Sequence, residues 1–234
     1  MAVAQTAISW TDSTWSPIRG CSRVSTGCEH CYAESLAGRF SGAGQSYDGL
    51  VRKTSQGFRW TGEVKLIEKD IALPLRWKKP RRIFVASMSD PNHEQVPDEW
   101  RDKILAVIAL TPHHTYQWLT KRAKELYDYF SDPQTPFRVQ KAIDALAVDV
   151  VLPWPMPHLW LGVSVENQAT AHERIPWLLR TPAAVRWMSA EPLLTGIDLG
   201  WYLPGQCPHC GLPGDNPLFC GCTLCQIHCQ CCAQ

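Results

Sequence analysis

The chain has 234 residues, a formal charge of +1 and 45% hydrophobic residues. The balanced charge argues against a strongly basic nucleic-acid binder, though not against a local basic patch. No stretch approaches about 18 uncharged apolar residues, and the start MAVAQTAISWTDSTW lacks a basic segment followed by an apolar run. The expectation is a cytoplasmic protein with neither membrane span nor signal peptide.

Residues 7–10 (AISW) predict a first short strand, followed by a turn-rich stretch to Cys31. Residues 32–40 (YAESLAGRF) have helical spacing, with Leu36 and Phe40 on one face. Residues 41–62, rich in Gly and Ser, predict a loop, and Asp70 a cap for a short helix over 70–77. A regular pattern follows. Strands are predicted at 82–88 (RIFVASM), 115–120 (TYQWLT), 159–165 (LWLGVSV) and 184–190 (AVRWMSA). Helices are predicted at 97–110, 122–130, 136–148 and 168–180. Strands alternating with helices imply an α/β fold of about five parallel strands. Beyond about residue 203 this periodicity stops, so two regions are expected, 1–203 and 204–234.

Cysteine usage sharpens the division. Of eleven cysteines, three lie between 21 and 31 and eight between 207 and 232. In a reducing compartment such clusters point to metal or catalysis. Cys28 and Cys31 form a Cys-x2-Cys pair, and Cys21 can close the same loop. Three thiolates suit a [4Fe–4S] cube with one open iron. A zinc site normally takes four ligands, for which His30 is a candidate, and free thiols are the bland alternative. In the tail, Cys207, Cys210, Cys222 and Cys225 have a spacing close to a zinc ribbon. Cys220, Cys229, Cys231, Cys232, His209 and His228 are further ligand candidates. Bound zinc can supply on the order of 10 kcal/mol of folding free energy to so short a segment. A thiol-rich end without structure and a second iron–sulfur cluster are the alternatives.

Five stretches carry a resemblance: ISWTDSTWSPIRGCSRVSTGCEHCYAE, RRIFVASMSDPNHEQVPDEW, TYQWLTKR, WLGVSVENQATAHERIPWLLR and AAVRWMSAEPLL. Over roughly residues 7–198 they resemble a phage-associated family of uncharacterised proteins, first noted in mycobacteriophage genomes. Cys-x2-Cys-Tyr after a first strand, then Ser-Asp-Pro, Leu-Thr-Lys and Val-Ser after later strands, is similar to spore photoproduct lyase-like radical S-adenosylmethionine (SAM) enzymes. Those enzymes space their first two cysteines by three residues, where this chain has six. Family members typically continue with another strand and a Gly-Gly-Glu-Ser-Gly stretch, so a truncated member is expected.

The resemblance implies a partial TIM-type barrel with its site at the C-terminal strand ends. It implies a [4Fe–4S] cluster on Cys21, Cys28 and Cys31, with SAM and an electron donor as partners. Ser87, Ser89, Asp90, Ser164, Glu166 and Asn167 would then bind SAM. Lys121, Arg122 and Glu191 would meet substrate or cofactor. His93 and Glu94 could face substrate. Taken singly, Asp90 suits a turn, Asn167 a helix cap and Lys121 a solvated first turn. The expected function is generation of a 5′-deoxyadenosyl radical, with nucleic acid or a nucleotide as substrate by analogy. The competing readings are a degenerate metal-binding protein and a zinc-dependent nucleic-acid-binding module. The latter would use the tail with Lys78, Lys79, Arg81 and Arg82.

Overall fold

The computed structural model describes residues 6–202. The zinc-ribbon expectation at Cys207, Cys210, Cys222 and Cys225 therefore lies outside the described residues.

The centre is a five-stranded parallel sheet of β1 (Ser13–Trp15), β6 (Arg82–Val85), β7 (Thr115–Thr120), β8 (Leu159–Ser164) and β9 (Val185–Ser189), in that order. Between them run α3 (Asp98–Ala109), α4 (Ala123–Ser131), α5 (Thr135–Asp144) and α6 (Gln168–Arg180). Strands that neighbour in chain order, joined by crossovers of one hand, put these helices on one face. That face buries Ile83, Val85, Tyr116, Trp118, Leu161 and Val163 in the main core. By alternation, the other face carries Phe84, Leu119, Gly162, Ser164 and Trp187. Trp10 covers it, its ring 4.8 Å from Phe84 and 5.2 Å from Trp187. Gly162 makes room, since a Cβ there would come within 2.6 Å of the Trp187 ring.

Four expectations need correction. The first strand is Ser13–Trp15, not 7–10, where a turn donates Thr11 N–H to Ile8 O. Its buried side alternates through Thr11, Ser13 and Trp15, and two small polar residues hide the apolar signal. Residues 41–62 are no plain loop: β3 (Val51–Thr54) and β4 (Gly57–Trp60) form an antiparallel hairpin. It packs on α1 (Tyr32–Gly38) through Ala33, Ala37, Tyr47, Leu50 and Trp60. A small pair of β2 (Ile18–Arg19) and β5 (Lys65–Leu66) was equally silent in the sequence. Asp70 does not cap a helix. It lies inside α2 (Glu68–Ile71) and pairs with Arg19 at 3.0 Å, while Pro74–Arg76 form a separate 3-10 turn. The last helix of the α4–α5 pair stops at Asp144, short of 148.

No helix among the described residues is long and apolar enough to cross a membrane.

Candidate functional site

The cysteine loop begins where β2 ends. Gly20 has φ +93° and forms a parallel bridge to Ser89. A Cβ there would sit 2.1 Å from the Glu63 carbonyl oxygen, so both space and conformation require glycine. Cys28 ends a 3-10 turn (Thr26–Cys28), donating its N–H to Ser25 O at 2.9 Å. Cys31 is the residue preceding α1. All three thiols are free; Cys28 is buried, Cys21 and Cys31 half-buried.

Three buried acids brace this loop. Glu34, on α1, accepts from Arg23 Nε at 3.0 Å and Nη2 at 2.7 Å, and from the Trp60 N–H at 3.1 Å. Glu166, fully buried after β8, accepts from Ser25 Oγ at 3.0 Å, from Arg174 at 3.1 Å and from Lys121 Nζ. Gly27 lies flat against it, since a Cβ at Gly27 would be 2.4 Å from Glu166 Cγ. Asp90 accepts from Thr120 Oγ1 (2.6 Å), the Asn92 N–H (2.9 Å), the Lys121 N–H (3.1 Å) and Arg122 Nη1 (3.1 Å). Arg122 in turn donates to Ser22 Oγ at 2.6 Å and to Glu94 Oε2 at 2.7 Å. His93 completes this brace. Gln95 N–H donates to His93 Nδ1 at 3.1 Å, so the proton sits on Nε2, which donates to Ser22 Oγ at 2.9 Å.

The electrostatics follow from burial and pairing. Burial pushes the Cys21 thiol up to about 12; the Asp90 carboxylate adds to this and Arg122 opposes it. Ligation would displace the thiol proton, because metals take the thiolate. Burial alone would raise Glu94, but backbone and Arg122 hydrogen bonds outweigh it and bring the carboxyl to about 2. Burial likewise opposes Glu166, yet Lys121 and Arg174 hold it below the usual range. Burial, then Arg122, lowers His93, which is neutral at pH 7.

The loop forms one wall of an open cavity of ≈ 450 Å³. All three cysteines line it. The opposite walls are strand ends: Ser87, Ser89 and Asp90 after β6, Thr120 at the end of β7 with Lys121 and Arg122 after it, Ser164 on β8, and Ser189 at the end of β9 with Glu191 after it. Trp10, Phe84 and Leu119 also line it, from the face of the sheet opposite α3–α6. So nine of the expected positions come together: Cys21, Cys28, Cys31, Ser87, Ser89, Asp90, Lys121, Arg122 and Ser164, with Glu191 at the rim. Glu166 and Asn167 do not line the cavity. Glu166 lies behind it in the brace just described. Asn167 caps α6, its Oδ1 accepting from the Thr170 N–H at 2.9 Å in a full capping box. His93 and Glu94 likewise serve the brace. In the basic run, Lys78, Lys79 and Arg81 precede β6 and Arg82 opens it, at the end of the strand away from the cavity.

Sequence reasoning missed Trp10 and Phe84 in the cavity, and Arg23, Ser25, Glu34 and Arg174 in the braces. Their partners lie up to 141 residues away, and no local spacing announces them.

Cys21, Cys28 and Cys31 share one wall of this cavity. Among the described residues no group of three or more Cys, His, Asp or Glu side chains is placed to hold a metal ion. A cube carries each thiolate on a separate iron, so it asks for a shared cavity wall and not one common point.

A family model described as "Protein of unknown function (DUF5131)" matches residues 5–206. The chain belongs to the DUF5131 family. No curated protein and no solved structure matches this DUF5131 chain.

Proposed function

We propose that this DUF5131 protein is a radical SAM-type iron–sulfur enzyme on a partial TIM-type barrel, acting on nucleic acid or a nucleotide. The observation that carries the reading is the placement of Cys21, Cys28 and Cys31. They sit on one braced loop and face a cavity at the C-terminal ends of parallel strands. The strand order, with Trp10 and Phe84 on the face opposite the helices, supports a barrel opened on one side. The similarity to spore photoproduct lyase-like enzymes supports the chemistry and, through the phage association, the substrate class.

Cys21, Cys28 and Cys31 would hold a [4Fe–4S] cluster. When bound and reduced, such a cluster supplies one electron to the sulfonium of SAM, whose cleavage gives methionine and a 5′-deoxyadenosyl radical. The chain's residues bind, orient and exclude water. Ser87 and Ser89 offer hydroxyls to the polar end of SAM, beside an Asp90 whose two oxygens already hold the wall together. Lys121 lines the same wall, its Nζ paired with Glu166. Trp10, Phe84 and Leu119 present an apolar floor.

The test is anaerobic reconstitution. The protein should take up iron and sulfide and absorb broadly at about 400 nm. Cys28→Ala should lose both, since two thiolates cannot hold the cube. The reduced protein should convert SAM to 5′-deoxyadenosine. Iron and sulfide unchanged in Cys28→Ala would sink the ligand set. SAM binding without cleavage would favour a degenerate enzyme. Zinc in place of iron would favour the nucleic-acid-binding module.

A further inference from the structure

We propose that Arg122 is a positioning residue for the cysteine loop, and that its charge, set against Asp90 and Glu94, tunes the reduction potential of the bound cluster. The inference rests on the iron–sulfur reading above and deepens it at Arg122 and Glu94, to which that reading gives no role.

Arg122 follows β7, and its buried guanidinium lines the same cavity as the three thiols. Every nitrogen is engaged. Nη2 donates to Ser22 Oγ at 2.6 Å and approaches Ser22 O at 3.4 Å. Nη1 donates to Asp90 Oδ2 at 3.1 Å and Nε to Glu94 Oε2 at 2.7 Å. Ser22 adjoins Cys21, so the fork fixes the backbone that carries the first ligand. Ser22 Oγ also receives His93 Nε2 and donates to Glu94 Oε1 at 3.1 Å. The other charges bracing the loop are internally paired: Lys121 and Arg174 with Glu166, Arg23 with Glu34. Among the described cations that brace the loop, Arg122 alone faces two carboxylates, Asp90 and Glu94, beside Cys21.

Reduction adds one electron from an external one-electron donor and breaks no bond. It increases the negative charge on a group already surrounded by thiolates. A cation buried beside Cys21 stabilises that charge, more strongly than in water because the surroundings are poorly screening. Removing it leaves Asp90 and Glu94 uncompensated and makes reduction harder. Removing one carboxylate has the opposite effect.

The experiment is a dithionite titration of the reconstituted full chain, followed by electron paramagnetic resonance, with iron and sulfide measured on each sample. Arg122→Gln should shift the one-electron equilibrium about tenfold against the reduced form, about 59 mV downward. Arg122→Lys keeps the charge and should recover most of that shift. Glu94→Gln keeps an acceptor for Arg122 Nε and should move the potential upward, by less, because Glu94 is half exposed to screening solvent. Wild-type protein that takes up no iron and sulfide overturns the enzyme reading itself. Wild-type and variants that load equally and share one potential overturn this inference alone. If Arg122→Gln does not load, Glu94→Gln decides: an upward shift supports the proposal, and no shift or a downward one overturns it.

Discussion

Gly27 adjoins Cys28 and packs against the buried Glu166 carboxylate. Its backbone is not in the left-handed region, so what it supplies is space. An added Cβ would lie 2.4 Å from Glu166 Cγ and 2.5 Å from its Oε1. Glu166 cannot swing aside, because Lys121, Arg174 and Ser25 all hold it and no part of it is exposed. Overpacking of this kind costs about 1–3 kcal/mol. For a domain of this size each kcal/mol lowers the melting temperature by about 2–4 °C. Gly27→Ala should therefore melt several degrees lower and retain less iron after reconstitution, because Cys28 must move with its neighbour. Scanning fluorimetry and iron analysis check both, and a variant indistinguishable from wild type would show that the loop yields freely. In the sequence the three cysteines stood out by their local spacing. Gly27 did not, because its partner is 139 positions further on in the chain and enters only with the fold.

At the scale of elements, α6 shows how a site residue and a structural residue are told apart. Asn167 precedes the helix, and both roles were open to it in the sequence. The structure gives it the cap: Oδ1 takes the Thr170 N–H, and Thr170 Oγ1 accepts from the N–H groups of Asn167 (3.1 Å) and Glu166 (2.9 Å). Asn167→Ala should cost about 1 kcal/mol, as such caps do. SAM affinity measured by calorimetry should stay near wild type. Weakened SAM binding at unchanged stability would return Asn167 to the ligand set. The same contrast explains which elements were legible. From residue 82 to 189 strands are flanked by helices, and long apolar runs and helical periodicity mark them. The β3–β4 hairpin and β1 gave no such signal. The hairpin's strands are short and mixed, and its place depends on Tyr47, Leu50 and Trp60 meeting α1. β1 spends its buried positions partly on Ser13, which accepts from Arg81 Nη1 at 3.2 Å.

Across the whole molecule, imidazoles are built into both ends of the parallel sheet. His93 is fully buried behind the cysteine loop, facing Ser22, Arg122, Glu94, Asp90 and Arg101. His114 is buried at the start of β7, against His113 (ring centroids 4.0 Å apart), Trp77, Tyr116 and the Arg81 charge. His158, half-buried just before β8, has Nε2 2.8 Å from Ile108 O and feels His113. Burial is the first cause lowering all three below the ordinary histidine value; Arg122 adds to it at His93 and His113 at the other two. The unfolded chain therefore takes up protons first as pH falls. The stability is complete above about pH 6.5, the unfolded value, and is lost as pH falls from there toward the folded values. Glu94 and Glu166, held low in the folded state, add a second loss below about pH 4.5. Asp102 works against this second loss, since burial raises its carboxyl and acid relieves it. Urea unfolding followed by tryptophan fluorescence should thus show a lower midpoint at pH 5.5 than at pH 7.5, with an unchanged slope. His114→Gln, which cannot titrate there, should narrow the gap between the two midpoints. Midpoints that coincide at the two pH values would mean that the buried imidazoles pick up protons as readily in the fold as outside it.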